Sequence, residues 1–452
     1  MSESNVEMIS KERVLALMEN KDAEGLEGYI SSAHPIDAAV MLEEFDSEEL
    51  SSFCSLLTNR TLALITEQAE DDLRIDIARA LGAERLIAVM RFMQKDDIVD
   101  IIGELPINER KSVVNLMQGS EKDIVTKLLQ YPDDSAGGIM TTAYIALHQD
   151  RTIQEGVDKI REIGPKTEVI ETLYIINRQG QLTGAADLRD FLTAPRDRLI
   201  SSIAKTNVVT VYPEQDQEEV AHLVEKYDLK SIPVVNAKNQ ILGIITVDDI
   251  IDVIVEEYNE DILEMAGVSK EESLDTTLWE SVRLRLPWLL VNLLTAFLAS
   301  LTIKLFEGTI SQVVALSSTM TIVTGMGGNA GSQTGSIMVR ELVNNDVKFS
   351  RVYKAFIKEI FLGIINGAVT GLVTGIAAYF IYGNGYLSLI LLVAMIGNLI
   401  IAGVFGFLIP LVLKRCHADP AVASTIFLTT ATDVLGFFIF LGLAKLFLPK
   451  LL

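Results

Sequence analysis

The chain has 452 residues, a formal net charge of −23 and a hydrophobic fraction of 49%. That pairing excludes a single soluble domain. The excess of carboxylates repels nucleic acid and attracts cations. Two cysteines far apart in sequence, Cys54 and Cys416, and four scattered histidines, His34, His148, His222 and His417, exclude a disulfide framework, a zinc site and the usual nucleophile–base constellations of an enzyme.

Splitting the chain resolves the conflict. From Leu284 onward, 11 Lys and Arg meet 6 Asp and Glu, whereas residues 1–283 hold 27 basic and 55 acidic residues. The expected fold class is multidomain: α, then α/β, then an all-α membrane domain. The opening MSESNVEMISKERVLALMEN has no apolar core of signal-peptide length, so the acidic half is expected in the cytosol. Residues 1–130 read as a helical N domain. Short amphipathic runs recur (AAVMLEEF, LSSFCSLL, LRIDIARAL, LIAVMRFM, IVDIIGEL, VVNLMQ), as in a superhelical array. Helix starts are expected at Asp46 and Asn108. Asp96, Asp97 and Asp100 open one helix, and Asp96 and Asp100 share a face. Two readings stay open for these acids: a cation between like charges, or complementarity to the helix dipole.

Residues 131–199 and 200–258 read as two copies of one unit. Leu173-Tyr-Ile-Ile-Asn-Arg-Gln-Gly-Gln-Leu-Thr-Gly184 aligns with Ile232-Pro-Val-Val-Asn-Ala-Lys-Asn-Gln-Ile-Leu-Gly243. Each is a buried strand, a polar turn, a second strand and a helix led by acids. The pair resembles tandem cystathionine-β-synthase (CBS) domains, which implies a regulatory module able to bind adenosine nucleotides. Gly243, Thr246 and Asp249 match the ribose-phosphate motif; in the first copy Asp187 replaces the Thr.

Next comes TVDDIIDVIVEEYNEDI, the start near residue 246 of an amphipathic linking helix expected over 259–283. Asp249, Asp252, Glu256 and Glu260 recur at helical spacing, forming an anionic face. It reads either as a solvated face or as a cation-sensitive gate for hard divalent ions.

Residues 284–452 form the expected membrane domain, with five spans drawn at about Pro287–Phe306, Gln312–Val339, Ala355–Tyr382, Leu387–Leu413 and Ala421–Phe447. Arg283, Arg285, Lys348, Arg351, Lys354, Lys358, Lys414 and Arg415 mark the cytosolic ends. The N-terminus is therefore expected inside and the C-terminus outside the cell (inner) membrane. Gly325-Met-Gly-Gly-Asn-Ala-Gly-Ser-Gln-Thr334 combines close-packing glycines with polar atoms at membrane depth. Gly371 and Gly375 make a packing face, and Glu359 reads as an end charge or a pore residue. In the last span Thr425, Thr429 and Asp433 form one stripe. Asp433 has no basic residue within ten positions. It lines a cation path, or stands protonated and bonds a neighbouring helix. Asp419-Pro420 reads as the start of this helix, or Asp419 binds a cation at the mouth. The two aspartates would lie about 21 Å apart if the stretch is helical throughout.

An acidic helical domain, paired CBS units, a linking helix and five spans with GMGGNAGSQT and TDxxGF resemble the MgtE magnesium transporter family over essentially the whole chain. The resemblance implies a homodimer in the lipid bilayer with a pore between subunits, Mg²⁺ as substrate and regulator, and ATP as a further regulator. It implies pore roles for Asp433, Asp419, Thr429 and Thr425. It implies cytosolic Mg²⁺ sites at Asp96, Asp100, Gly138, Asp216, Glu218, Glu225, Asp228, Asp249, Asp252, Glu257, Glu260 and Asp261. The expected function is a Mg²⁺-selective channel closed by Mg²⁺ on its acidic domains. The alternative is a nucleotide-regulated transporter of Co²⁺, Mn²⁺ or Ni²⁺.

Overall fold

A computed structural model describes residues 9–164, 167, 170–274, 276–344, 349–416, 419–421 and 424–452. Lys348 and His417 lie outside the described residues. The chain forms two compact units, Met1–Ile254 and Val255–Leu452.

The first unit opens with short helices: α1 (Lys11–Glu19), α2 (Ala23–Ser31), α3 (Pro35–Leu42), α4 (Ser47–Leu56), α5 (Asn59–Glu67), α6 (Asp71–Met90), α7 (Lys95–Glu104), α8 (Ile107–Leu116) and α9 (Gly119–Leu128). Asp46 caps α4 in a reciprocal capping box with Glu49. Asn108 falls one residue inside α8, after Pro106. In α6, Gly82 takes a left-handed φ of 65° and separates the two amphipathic runs seen in the sequence. Both runs bury apolar faces, and α4, α5, α7 and α8 pack against α6.

The same unit holds β1 (Ala146–His148), α10 (Ile153–Ile163), β2 (Thr172–Ile176), β3 (Leu182–Asp187), α11 (Leu188–Thr193), α12 (Gln217–Tyr227), β4 (Ser231–Val235) and β5 (Ile241–Thr246). β1 runs parallel to β2, which pairs antiparallel with β3; β4 pairs antiparallel with β5. The repeat holds to the level of turn chemistry. Asn177 Oδ1 accepts from the N–H groups of Gln179 and Gln181, and Asn236 Oδ1 accepts from those of Lys238 and Gln240. The hairpins meet through reciprocal glutamines. Gln181 donates to Lys238 O at 3.0 Å and Gln240 to Gln179 O at 2.9 Å.

The boundary between units falls in α13 (Val247–Met265). This corrects the linking helix expected to reach residue 283. Gly267, at φ 75°, ends α13 in a Schellman motif: Gly267 N–H donates to Glu264 O and Val268 N–H to Leu263 O, both at 2.9 Å. The sequence from Leu278 belongs instead to the next helix.

The second unit continues with α14 (Leu278–Lys304), α15 (Glu307–Gln312), α16 (Ala315–Asn344), α17 (Phe349–Tyr382), α18 (Gly385–Arg415), α19 (Ser424–Leu446) and α20 (Leu448–Leu451). Among the described residues four segments are long and apolar enough to cross a membrane: Leu278–Lys304, Arg351–Tyr382, Gly385–Arg415 and Thr425–Leu446. The expected count was five. Helix α16 has the length, 30 residues or about 45 Å, but its glycine-polar run dilutes its apolar character. Pro287 does not open the first span; α14 starts nine residues earlier and carries Pro287 inside.

Helix α18 packs against α16, α17 and α19. The α17–α18 contact depends on missing side chains. A Cβ on Gly363 would lie 2.8 Å from Ile400 Cα, on Gly367 2.6 Å from Ile396 Cα, on Gly371 3.0 Å from Leu392 Cα and on Gly375 2.9 Å from Ser388 O. Four glycines, each four residues apart, thus meet four backbone positions of the antiparallel neighbour. The expected Gly371–Gly375 face extends back to Gly363. Gly367→Ala should cost about 1–3 kcal/mol, because backbone rather than a side-chain tip must yield. A lower melting temperature of the detergent-solubilised protein would show it; an unchanged one would refute the contact.

Candidate ion path and acidic cytosolic clusters

Helix α19 places Thr425, Thr429 and Asp433 on one half-buried stripe. Asp433 makes no hydrogen bond or ion pair with any described residue, so no described cation neutralises it. Thr429 donates its hydroxyl to the carbonyls of Thr425 (3.0 Å) and Ile426 (3.1 Å) within its own helix. Its oxygen lone pairs are left to accept. Thr425 donates to Met265 O at 2.9 Å, tying the end of α13 to the stripe. Asp419 is not the N-cap of α19: Pro420 and Ala421 are non-helical and the helix is described from Ser424. The exposed Asp419 carboxylate accepts instead from Ala421 N–H at 2.6 Å. The 21 Å separation from Asp433 therefore assumed helix where a bend occurs.

Two membrane-domain contacts lay beyond the sequence reading. Asn398 in α18 is wholly buried and donates to Val323 O of α16 at 2.7 Å, while its Oδ1 has no partner among the described residues. Gly327 and Gly436 press against its amide, which therefore joins α16, α18 and α19. An apolar helix interrupted by one Asn was its only sequence mark. Glu359 is tied into the bundle, accepting from Thr334 of α16 at 2.9 Å.

At the end of α13 burial pushes the Asp261 carboxyl up to about 6 and Glu264 up to about 7, with Asp419 and Glu260 adding repulsion to each. Glu264 Oε2 is shielded and has no hydrogen-bond partner among the described residues. Glu264 was missed in the sequence because it belongs to no motif; its helical spacing from Glu260 and Asp261 was the available sign.

In the first unit α7 brings Asp96 and Asp97 near Asp249. Burial pushes Asp96 up to about 7, with the charges of Asp97 and Asp249 adding to it. Asp97 rises to about 7 through burial and the Glu67 charge. Burial also raises Asp249. Asp96 Oδ1 is shielded, with no hydrogen-bond partner among the described residues. Repelling carboxylates and orphaned anionic oxygens suit a hard cation.

The other expected sensor residues are placed differently. Asp216 caps α12, accepting from Glu218 N–H at 2.8 Å. Asp228 closes α12 in a left-handed conformation, and Glu225 lies 3.9 Å from His222 Nδ1. Gly138 is buried where a Cβ would meet the Pro132 and Asp133 carbonyls at 2.4 and 2.6 Å. Asp100, Asp252 and Glu257 stand on α7 and α13. Among the described residues no three acidic, histidine or cysteine side chains converge as a direct metal-ligand set. An ion held here would retain water between itself and some carboxylates, as Mg²⁺ does.

The expected nucleotide motif is drawn inward. Thr246 is buried and donates to Asp249 Oδ2 at 2.5 Å. Gly243 has Thr141 O 2.6 Å from where a Cβ would stand. In the first repeat Asp187 is ion-paired with Lys205.

Apolar spans, an unneutralised acid in one of them and a CBS-type module with acidic clusters are the parts of a regulated cation transporter. Residues 320–443 match the MgtE model, described as a divalent cation transporter; residues 33–134 match the MgtE intracellular N domain and 200–256 the CBS domain. The magnesium transporter MgtE of Bacillus subtilis (strain 168) is 31% identical over 439 residues, 97% of each chain. The crystal structure of the soluble part of a magnesium transporter aligns with a TM-score of 0.51 at 26% identity, covering 54% of this chain and 97% of that one. The cytosolic domain of the Mg²⁺ channel MgtE in complex with ATP aligns with a TM-score of 0.50 at 28% identity, covering 53% and 98%. The chain belongs to the MgtE family, whose members are transporters and not enzymes.

Proposed function

We propose that this chain is a Mg²⁺-selective channel that closes when cytosolic Mg²⁺ binds its acidic domains. The observation that carries the reading is Asp433, an unneutralised carboxylate on a polar stripe of an apolar helix. Mg²⁺ surrenders water reluctantly, so Asp433 would hold the hydrated ion through its waters, with Thr429 and Thr425 lining the approach and Asp419 at the mouth. The membrane potential drives the ion, at about 2.3 kcal/mol per charge per 100 mV.

The working unit is a homodimer with α16 as a fifth span. Asn329, Gln333 and Ser336 are exposed on one face of α16, and polar side chains at that depth need water or a partner. Five crossings put the acidic half in the cytosol and the C-terminus outside. The helical N domain (1–130), the CBS units (131–199 and 200–258) and α13 form the sensor, ahead of the membrane domain (284–452). Asp96, Asp97 and Asp249 repel one another until Mg²⁺ bridges them. Asp100, Asp216, Glu218, Glu225, Asp228, Asp252, Glu257, Glu260 and Asp261 complete its acidic faces, with the Gly138 backbone carbonyl as a further ligand. Closure is then a population shift toward the state that binds Mg²⁺ better. ATP is a further regulator, at Gly243, Thr246 and Asp249, once Asp249 releases Thr246.

Mg²⁺ flux into proteoliposomes, measured at low and then high Mg²⁺ on the sensor side, tests this. Flux that shuts at high Mg²⁺ is expected. Flux of Co²⁺, Mn²⁺ or Ni²⁺ without Mg²⁺, switched by nucleotide alone, would favour the alternative transporter.

A further inference from the structure

We infer that Lys270 is a tethered counter-cation that competes with Mg²⁺ for the acidic face of α13. The inference rests on the proposed sensor role of Glu257 and Glu260. Glu256, Glu257 and Glu260 stand on α13, and the Schellman turn at Gly267 sends the chain back along that helix. Lys270, ten residues after Glu260, returns its Nζ to 3.0 Å from Glu260 Oε2. The side chains are 43% and 22% exposed, so the pair is accessible to a dissolved ion. Burial opposes the ammonium form of Lys270, but the hydrogen bond to Glu260 and the charges of Glu260, Glu256 and Glu257 outweigh it and raise its pKa.

The connection is also held from its other side. Glu272, whose side chain is 4% exposed, accepts from Ser281 Oγ of α14 at 2.8 Å and pairs with Arg285 of the same helix. Lys270 is therefore presented by a loop fastened to both α13 and α14, unlike a freely waving surface lysine. A divalent ion approaching Glu260 meets a carboxylate that already holds a cation and must displace it. The apparent affinity falls in proportion to the fraction of time the carboxylate is free. The tether makes the competitor's concentration constant, so this segment helps set the Mg²⁺ level at which the pore closes.

The test is the half-closing Mg²⁺ concentration of the full chain in proteoliposomes. Lys270→Met should lower it about two- to fivefold, the range of an exposed ion pair. Lys270→Gln, which keeps a polar side chain, should move it the same way. Lys270→Arg should stay near the parent value, and Lys238→Met, which removes a positive charge from an exposed CBS turn, should leave it unchanged. Glu260→Gln should raise it, and Lys270→Met should have little further effect on that background. An unchanged midpoint in Lys270→Met, with Glu260→Gln still raising it, overturns the Lys270 role and leaves the sensor standing. No change in either variant overturns both. An equal fall in Lys238→Met reduces the effect to net charge and likewise overturns the role of Lys270.

Discussion

Asp433→Ala and Asp433→Asn should each reduce Mg²⁺ flux at least about tenfold at low sensor-side Mg²⁺. The carboxylate is the one acidic side chain in α19 and has no counter-charge among the described residues. A divalent ion about 5 Å away through one water gains about 7 kcal/mol from it at an effective dielectric of about 20. Losing only a quarter of that is already tenfold. Asp433→Glu should retain part of the flux, because charge persists while the path narrows. Each variant should elute from size exclusion as the parent does, since Asp433 makes no hydrogen bond or ion pair with any described residue. Parent-like flux through Asp433→Asn would remove this residue from the ion path.

Neutralising the sensor acids should shift closure in the opposite sense to Lys270→Met. Asp249→Ala with Asp252→Ala and Glu257→Ala should raise the half-closing Mg²⁺ concentration by about tenfold or more, because each removes an anionic oxygen that bound Mg²⁺ would use. Closure at the parent concentration would refute the assignment. The same acids give a pH test. In the metal-free protein Asp96 and Asp97 titrate near 7, above the ordinary carboxyl range. Their protonated forms favour the folded arrangement, so this contribution is complete below about pH 4 and is lost as pH rises through 7. Without Mg²⁺, thermal stability should therefore be lower at pH 8 than at pH 6. Mg²⁺ binds the charged form and releases protons, so the rise in melting temperature on adding Mg²⁺ should be larger at pH 8. A larger rise at pH 6 would argue against Mg²⁺ at this cluster.

How legible each part was depends on the range of the interaction that makes it. The hairpins of the CBS pair announce themselves because a strand buried on both faces, an Asn-led turn and an acid-led helix are all local chemistry. The break at Gly82 was implicit in two separate amphipathic runs. Helix α13 was legible along its acidic face but not at its end: the runs after Gly267 keep charged and apolar residues at helical spacing, and the left-handed Gly267 overrides that pattern. Five spans were drawn where four meet the length and apolarity of a crossing, since α16 owes its helical course to packing on α18 and α19 rather than to hydropathy. Asp419 with Pro420 had sound capping residues, yet the helix is described only from Ser424.

By itself the sequence determined the division into an acidic half and an apolar half, the repeat within the first, and the charge at Asp433. Each follows from composition or from spacing along one element. Only the tertiary structure decided that Asp96 and Asp97 face Asp249, that Asn398 joins three helices through two glycines, and that Lys270 folds back onto Glu260. Those pairings join residues from 10 to more than 150 positions apart. Their energies depend on distance and burial, which spacing along a single element does not encode.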